Sequence, residues 1–121
     1  MQVNQFVTNI NSGQPEKMID FYRDVVGLTV DPDFGPGAFM AGSANFIALI
    51  IEGHSDVSGP TSDPQRVLLN FLVDDVAAEQ QRLEAQGVDF IRPATEEPGF
   101  GIVATFADPD GNYCQLMQLG Q

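Results

Sequence analysis

An internal repeat constrains the fold of this chain more than any other feature of its sequence. Residues 45–53, NFIALIIEG, align with residues 112–120, NYCQLMQLG, so that an asparagine, an aromatic residue, a leucine and a glycine recur in step. Three weaker matches keep the same order, namely residues 5–10 with 68–73, 24–30 with 85–90, and 36–39 with 98–100. Because the order is shared, we predict two copies of one module.

Each copy is predicted to read β-α-β-β-β. The first helix begins near Pro15, because proline suits a first helical turn, and ends before Gly27, where a glycine commonly follows a helix. The second helix begins after Asp74 or Asp75, one of which is its N-cap, and ends at Gln86. The predicted strands are Val3–Ile10, Leu28–Asp31, Gly37–Gly42 and Phe46–Glu52 in the first copy, and Arg66–Val73, Asp89–Arg92, Gly101–Asp108 and Tyr113–Leu119 in the second.

The chain length of 121 residues suits one domain with its own core. We assign one module to residues 1–53 and the other to residues 65–121. The stretch between them, residues 54–64, is polar and rich in glycine and proline, as is typical of a linker. The predicted fold class is therefore α+β, a single domain made of two modules.

Charge limits the classes of partner. The sequence has 17 acidic against 5 basic residues, a net charge of −12, which argues against nucleic acid because phosphate contacts require Lys and Arg. An acidic field favours a cationic ligand, although a solvated, self-repelling surface is the simpler interpretation. The first residues show neither a basic region nor a long apolar run, and the single Cys114 cannot form an intrachain disulfide. We therefore expect a cytoplasmic protein without a membrane segment.

Alternation along the first and last strands of each module predicts two different sheet faces. One face is mostly apolar and should carry the helices; its members are Phe6, Thr8, Ile10, Ile47, Leu49, Ile51, Leu69, Phe71, Val73, Cys114, Leu116 and Gln118. The other face sets amides among apolar and aromatic residues; its members are Gln5, Val7, Asn9, Phe46, Ala48, Ile50, Leu68, Asn70, Leu72, Tyr113, Gln115 and Met117. This mixture suits a ligand-binding face, and equally a core or dimer interface whose amides satisfy each other.

Three stretches resemble the vicinal oxygen chelate superfamily, also called the glyoxalase/bleomycin-resistance/dioxygenase family. They are residues 21–28 (FYRDVVGL), residues 73–88 (VDDV leading to RLEAQGV) and residues 108–112 (DPDGN). The resemblance implies two β-α-β-β-β modules that form curved mixed sheets with the helices outside. It also implies a homodimer.

The resemblance further implies where a divalent metal would be held in the family's enzymes. The four ligand positions fall on Gln5, Ala48, Leu68 and Gln115, and none of these is a usual metal ligand. We therefore expect no metal, no cofactor and no catalytic residues. The alternatives are a metal-dependent lyase or dioxygenase with atypical ligands and a non-catalytic interaction module.

The expected function is metal-free binding of a small molecule, in the manner of drug-sequestering bleomycin-resistance proteins, with a role in antibiotic resistance. The ligand is expected to be cationic or aromatic. The predicted binding residues are Gln5, Val7, Phe46, Ala48, Ile50, Leu68, Asn70, Tyr113, Gln115 and Met117. The only histidine, His54, is predicted to be a surface residue, Glu52 to lie at the rim of the site, and Cys114 to be a buried, inert thiol.

Overall fold

The computed structural model describes residues 1–40 and 47–120, and the chain divides into two compact units, Met1–Gly59 and Pro60–Gln121. The first unit contains β1 (Thr8–Ser12), α1 (Pro15–Asp20) continued by a π-helical segment (Phe21–Val26), β2 (Thr29–Val30), β3 (Ala38–Met40) and β4 (Ile47–Gly53). The second contains β5 (Leu69–Leu72), α2 (Val76–Ala85), β6 (Phe90–Glu97), β7 (Gly101–Ala107) and β8 (Tyr113–Leu119). No helix in these ranges is long and apolar enough to cross a membrane.

Both units have the same sheet topology. The strand order is β1-β4-β3-β2 in the first and β5-β8-β7-β6 in the second. In each unit the first and last strands pair in parallel, and the other pairs are antiparallel. These two mixed four-stranded sheets confirm the predicted α+β class and the two modules.

The helical part of the first unit packs on β1 and β4. Met18 and Tyr22 are fully buried, and the Tyr22 ring lies 6.5 Å from that of Phe39, which is also fully buried. Gly27 ends the helix with φ 91°, and its N–H donates to the Tyr22 carbonyl at 3.1 Å, five residues back. That spacing is the π-helical one, which the sequence did not predict.

The helix of the second unit is longer and regular. It packs against β6, β7 and β8 through the buried Val76 and Leu83. Asp75 is its N-cap, since the carboxylate accepts a hydrogen bond from the Ala78 N–H at 3.1 Å. Beneath the helix, Phe106 is fully buried and its ring lies 5.4 Å from that of Phe90.

The first strand of each module is shorter than predicted. Within the described residues, the ladder with β4 begins at the pair Thr8–Leu49, so the prediction of a strand from Val3 was wrong. Phe6, which was expected on the helix-bearing face, is 79% exposed because it lies ahead of that ladder. In the same way β5 begins at Leu69 instead of Arg66.

The remaining strands differ from the predictions mainly at their ends. The strand predicted as Asp89–Arg92 extends to Glu97, because two irregularities in its pairing with β7 let this edge strand continue past Pro93. The prediction of Tyr113–Leu119 is confirmed, and that of Gly101–Asp108 is correct to within one residue. Residues 41, 42 and 46 of the predicted strands lie outside the described residues.

Candidate functional site

A row of four polar residues crosses the sheet of the second unit from edge to edge. Asn70 on β5 pairs with Gln115 on β8. Thr105 on β7 lies opposite Gln115 on one side and opposite Arg92 on the other. We call Asn70, Gln115, Thr105 and Arg92 the polar row. Residues that lie opposite each other across paired strands point to the same face.

The polar row points away from helix α2. Its chain neighbours Cys114, Leu116 and Phe106 are buried, and Gln118, on the same face as these, accepts a hydrogen bond from the Val76 N–H at the start of α2 at 2.9 Å. Because successive strand residues point to opposite faces, the polar row occupies the side that carries no helix. We call this side of each sheet the helix-free face.

Three members of the polar row keep their side-chain hydrogen-bonding groups unused. Asn70 is exposed and Thr105 and Gln115 are half-buried, and none of these side chains bonds to another residue in the ranges 1–40 and 47–120. Every buried side-chain nitrogen or oxygen of these ranges has a partner, so the unused groups are reachable from solvent. They are available to hydrogen-bond a ligand.

The fourth member, Arg92, carries a charge onto the helix-free face. Its guanidinium Nη2 donates to Glu97 Oε1 on the same strand, and both side chains are about two-fifths exposed. This pair was not predicted from the sequence. The signal was hidden because the two strand irregularities, which bring Arg92 opposite Thr105 and Glu97 opposite Gly101, depend on the pairing with β7.

Less polar residues flank the polar row on both sides. Tyr113 lies opposite Ala107 on one side of the row. Leu72, Met117 and Val103 lie opposite one another on the other side, with Thr95 completing that line. A strip of hydrogen-bonding groups between an aromatic ring and a thioether is the usual composition of a small-molecule site.

Two cavities lie at the end of the same unit. The one of about 530 Å³ is lined by Glu96, Glu97, Gly99, Phe100, Gly101, Ile102, Gln118, Leu119 and Gly120. The one of about 370 Å³ is lined by Leu72, Val73, Asp74, Met117, Gln118 and Leu119. Each lining includes residues of the helix-free face, Glu97 in the first cavity and Leu72 and Met117 in the second.

The helix-free face of the first unit carries a different polar contact. Asn9 Nδ2 donates to Glu52 Oε1 at 2.9 Å, which places the two side chains together at the far end of β4. Ala48 and Ile50 are half-buried on the same strand. Gln5 lies ahead of β1, is exposed, and donates its Nε2 to the Ile47 carbonyl at 2.8 Å.

The predicted binding residues do not all lie together in strands. Asn70, Tyr113, Gln115 and Met117 share the helix-free face of the second unit, where the strand pairing brings Asn70 beside Gln115. Leu68 is 41% exposed and immediately precedes β5. Gln5 and the 37% exposed Val7 precede β1 instead of lying in a strand, and Phe46 lies outside the described residues.

The Asp-Pro-Asp-Gly-Asn sequence forms the turn before β8. The Asp108 carboxylate is nearly buried and accepts hydrogen bonds from the backbone N–H groups of Asp110 and Asn112 and from Asn112 Nδ2, all at 2.9 Å. Gly111 adopts φ 87°, which favours glycine. This turn fixes the start of β8 and with it the positions of Tyr113 and Gln115.

Two other residues singled out in the sequence, His54 and Cys114, lie in the kind of surroundings that were predicted for them. His54 is half-exposed, and its Nδ1 accepts a hydrogen bond from the Asp56 N–H at 3.1 Å, which confirms the surface prediction. Cys114 is fully buried, as predicted.

In the Phe-Tyr-Arg-Asp stretch, the hydrogen bond and charge of Arg23 lower the pKa of Asp24, and the same contact raises the pKa of Arg23.

Sequence comparison identifies the family. Residues 2–116 match the profile of the Glyoxalase/Bleomycin resistance protein/Dioxygenase superfamily, and the chain belongs to this superfamily. A relative, an uncharacterized protein from Shewanella frigidimarina (strain NCIMB 400), is 39% identical over 54 residues. That match covers 45% of this chain and 39% of the relative, so the chain spans well under half of that protein's length.

Solved structures agree with this assignment. The chain is similar to TnmS3, an antibiotic binding protein from Streptomyces sp. CB03234, with 27% identity, a TM-score of 0.74 and 99% of each chain covered. It is also similar to lactoylglutathione lyase from Agrobacterium tumefaciens, with 17% identity, a TM-score of 0.69, and 97% of this chain and 94% of that one covered. At that identity the second likeness shows the shared fold alone.

The residues at the implied metal-ligand positions do not fit a divalent metal. Ala48 and Leu68 have no donor atom, and Gln115 offers only a neutral amide. Gln5 likewise offers only a neutral amide oxygen. Across residues 1–40 and 47–120, no three His, Cys, Asp or Glu side chains come together in a way that could hold a metal ion.

Proposed function

We propose that this chain is a metal-independent small-molecule-binding protein that sequesters its ligand without changing it chemically. The observation that carries the proposal is the pair of adjacent amides, Asn70 and Gln115, whose side-chain groups bond to no other described residue. A ligand can satisfy them while Tyr113 and Met117 supply apolar contact. The first unit's predicted residues, Gln5, Val7, Phe46, Ala48 and Ile50, remain further candidates for ligand contact.

An antibiotic is the ligand class that the comparisons favour. TnmS3, described as an antibiotic binding protein, is similar over 99% of both chains. Sequestration needs affinity and no reacting group, which agrees with the neutral side chains at the four implied metal positions. We therefore propose a role in antibiotic resistance by binding.

The test is calorimetric titration of the purified protein with a panel of antibiotics, together with elemental analysis. We expect wild-type protein without stoichiometric metal to bind at least one member. Gln115→Leu, which keeps the side-chain bulk and removes the amide, should weaken that binding about tenfold, as expected for one lost hydrogen bond of about 1.4 kcal/mol. The matched control is Gln81→Leu on the exposed side of α2, which should bind like the wild type.

Three results would contradict the proposal. Stoichiometric zinc, nickel, manganese or iron would remove metal independence and favour a lyase or dioxygenase. If Gln115→Leu and Gln81→Leu bind the antibiotic with equal affinity, Gln115 is not part of the binding site. If no antibiotic binds and Gln115→Leu instead shifts a monomer–dimer equilibrium in sedimentation, the helix-free face is a protein interface.

We also propose that the protein is a homodimer. Val3 and Phe6, which precede β1, are 60% and 79% exposed, and water contact with such large apolar side chains is unfavourable. Sedimentation of wild-type protein against the double variant Val3→Ser and Phe6→Ser tests this. We expect the wild-type protein to sediment as a dimer and the double variant to dissociate more readily. A monomeric wild-type protein would contradict the proposed homodimer.

A further inference from the structure

We infer that the polar row selects a flat, oxygen-rich aromatic ligand that places an anionic oxygen at Arg92. This inference rests on the proposed function, because it specifies the chemistry of the same binding site. It departs from the cationic ligand that the net charge suggested. The reasons lie in the spacing of the row, in the unused donors of Arg92 and in the residues beside the row.

The spacing of the row sets the length and shape of its ligand. Asn70, Gln115, Thr105 and Arg92 stand on four adjacent strands. Neighbouring strands lie about 4.8 Å apart, so the row spans roughly 14 Å between its outer members. A ligand that meets all four needs polar atoms repeated along one edge, as in a hydroxylated or carbonyl-bearing fused ring system.

Arg92 determines the charge at one end of the ligand. It is the single Lys or Arg in strands β5 to β8, all of which are described. Among the described residues only its Nη2 has a partner, Glu97, so Nε and Nη1 retain donors for an incoming oxygen. A guanidinium donates only, and its fork matches a carboxylate or an enolate oxygen pair.

Glu97 makes a cationic ligand the weaker choice. Its carboxylate is already paired with Arg92, so a ligand ammonium would have to compete with a guanidinium on the same strand. The net charge of −12 acts over a longer range, and salt screens exposed charges beyond about 8 Å at physiological ionic strength. The local contact with Arg92 therefore decides the preference.

The flanking residues favour a planar ligand. Tyr113 on one side and Met117 on the other present a ring and a polarizable thioether next to the central Gln115. Aromatic faces stack well on both groups. The row then hydrogen-bonds the oxygen atoms at the ring edge, which is the division of roles expected for a site with few polar groups.

A charge series of one aromatic scaffold tests the inference. The probes are 3,5-dihydroxy-2-naphthoate, its neutral carboxamide and its cationic aminomethyl analogue, titrated by calorimetry or by NMR shifts. We expect wild-type protein to bind the carboxylate at least tenfold more tightly than the aminomethyl probe. Arg92→Gln should abolish that preference while changing carboxamide affinity less than threefold. Arg92→Lys should give an intermediate value because it keeps the charge without the fork.

Arg82→Gln is the matched control, because Arg82 pairs with Glu79 at nearly the same exposure as Arg92 with Glu97, but on α2. It should bind all three probes like the wild type. Glu97→Gln should tighten carboxylate binding several-fold by removing the competitor for Arg92. Circular dichroism and thermal melts of each variant show that the fold is retained, and if Arg92→Gln is unfolded, Arg92→Lys and Glu97→Gln decide the matter.

The inference is overturned if the aminomethyl probe binds best, if no probe binds at 5 mM, or if Arg92→Gln and Arg82→Gln behave alike. These results leave the proposed function standing as long as an antibiotic binds and Gln115→Leu weakens it. Conversely, suppose that no antibiotic binds while the wild-type protein still prefers the carboxylate probe and loses that preference in Arg92→Gln. That result overturns the antibiotic assignment and supports ligand recognition by the polar row.

Discussion

The two modules share one topology but differ on the faces that carry no helix. In the first, the described polar contact on that face joins Asn9 to Glu52 at the end of a strand, and the described parts of β2 and β3 are two and three residues long. In the second, β6 and β7 are eight and seven residues long, and a row of four polar side chains crosses the sheet. The helix-bearing faces, by contrast, are alike, each with a buried phenylalanine beneath the helix.

This difference separates the residues needed for folding from those available for recognition. The face under the helix must be apolar in both modules because the helix packs on it. The two modules are therefore alike on that face. The helix-free face is less constrained, and only in the second module does it carry unused hydrogen-bonding groups beside an arginine, as far as the described residues show. We therefore assign ligand recognition mainly to the second module. The following changes test whether the modules differ as the structure indicates.

The largest expected effect concerns two glycines that abut the last strand of each module. A Cβ on Gly101 would lie 2.0 Å from the Gln118 carbonyl oxygen, whereas a Cβ on Gly37 would lie 2.7 Å from that of Ile51. Both contacts are with backbone atoms, which cannot move aside as the end of a flexible side chain could. Gly101→Ala should lower the free energy of unfolding by about 3 kcal/mol, and Gly37→Ala by about 2 kcal/mol, as measured by urea denaturation.

The control for these variants is Gly99→Ala. Gly99 has φ 78°, but apart from its two chain neighbours no described residue would have an atom within 4 Å of an added methyl group, so the backbone preference of alanine is what opposes the change. That preference costs about 1 kcal/mol. Equal losses in Gly101→Ala and Gly99→Ala would show that the close approach of β7 and β8 is not tight.

A smaller effect is expected at the start of the helices, where the modules also differ. Asp75 caps α2 through the Ala78 N–H, whereas Gln14 before α1 makes no side-chain capping hydrogen bond. Asp75→Ala should cost about 1 kcal/mol of unfolding free energy, since the Ala78 N–H loses its partner. The neighbouring Asp74→Ala, which removes an exposed carboxylate that is not the cap, should change stability by less than about 0.3 kcal/mol. If the two variants are equally destabilised, the cap is not at Asp75.

Local pattern in the sequence was enough to predict much of the fold. Pro15 and Gly27, at its two ends, predicted the first helix, and Asp-Pro-Asp-Gly-Asn with strict alternation predicted Tyr113–Leu119. The beginnings of β1 and β5 were predicted too early, because a strand extends only as far as its partner pairs with it. The π-helical turn at Phe21–Val26 has no pattern in sequence that distinguishes it from an α-helix.

The candidate site was harder to predict for a related reason. Alternation placed Asn70 and Gln115 on one face, and the strand pairing puts them side by side. Thr105 was not included because alternation was applied only to the first and last strands of each module. Arg92 was hidden as well by the irregularities of β6, which change which face a residue occupies. A pattern with a period of two cannot be followed through such a strand unless the pairing of its neighbour is known.

The smallest expected effect is a pH dependence in the first module. Arg23 hydrogen-bonds Asp24 and lowers the pKa of that carboxyl from its ordinary value of 3.8, so ionised Asp24 stabilises the folded state above that value. The contribution is lost as the pH falls through the lowered folded pKa. Asp24→Asn should therefore have a slightly lower Tm than the wild type at pH 7, with the difference shrinking below about pH 4. Asp33→Asn, at an exposed carboxylate with no ion pair among the described residues, should match the wild type at pH 7. A difference for Asp24→Asn that persists undiminished at about pH 2 would show that the charge of Asp24 is not its cause.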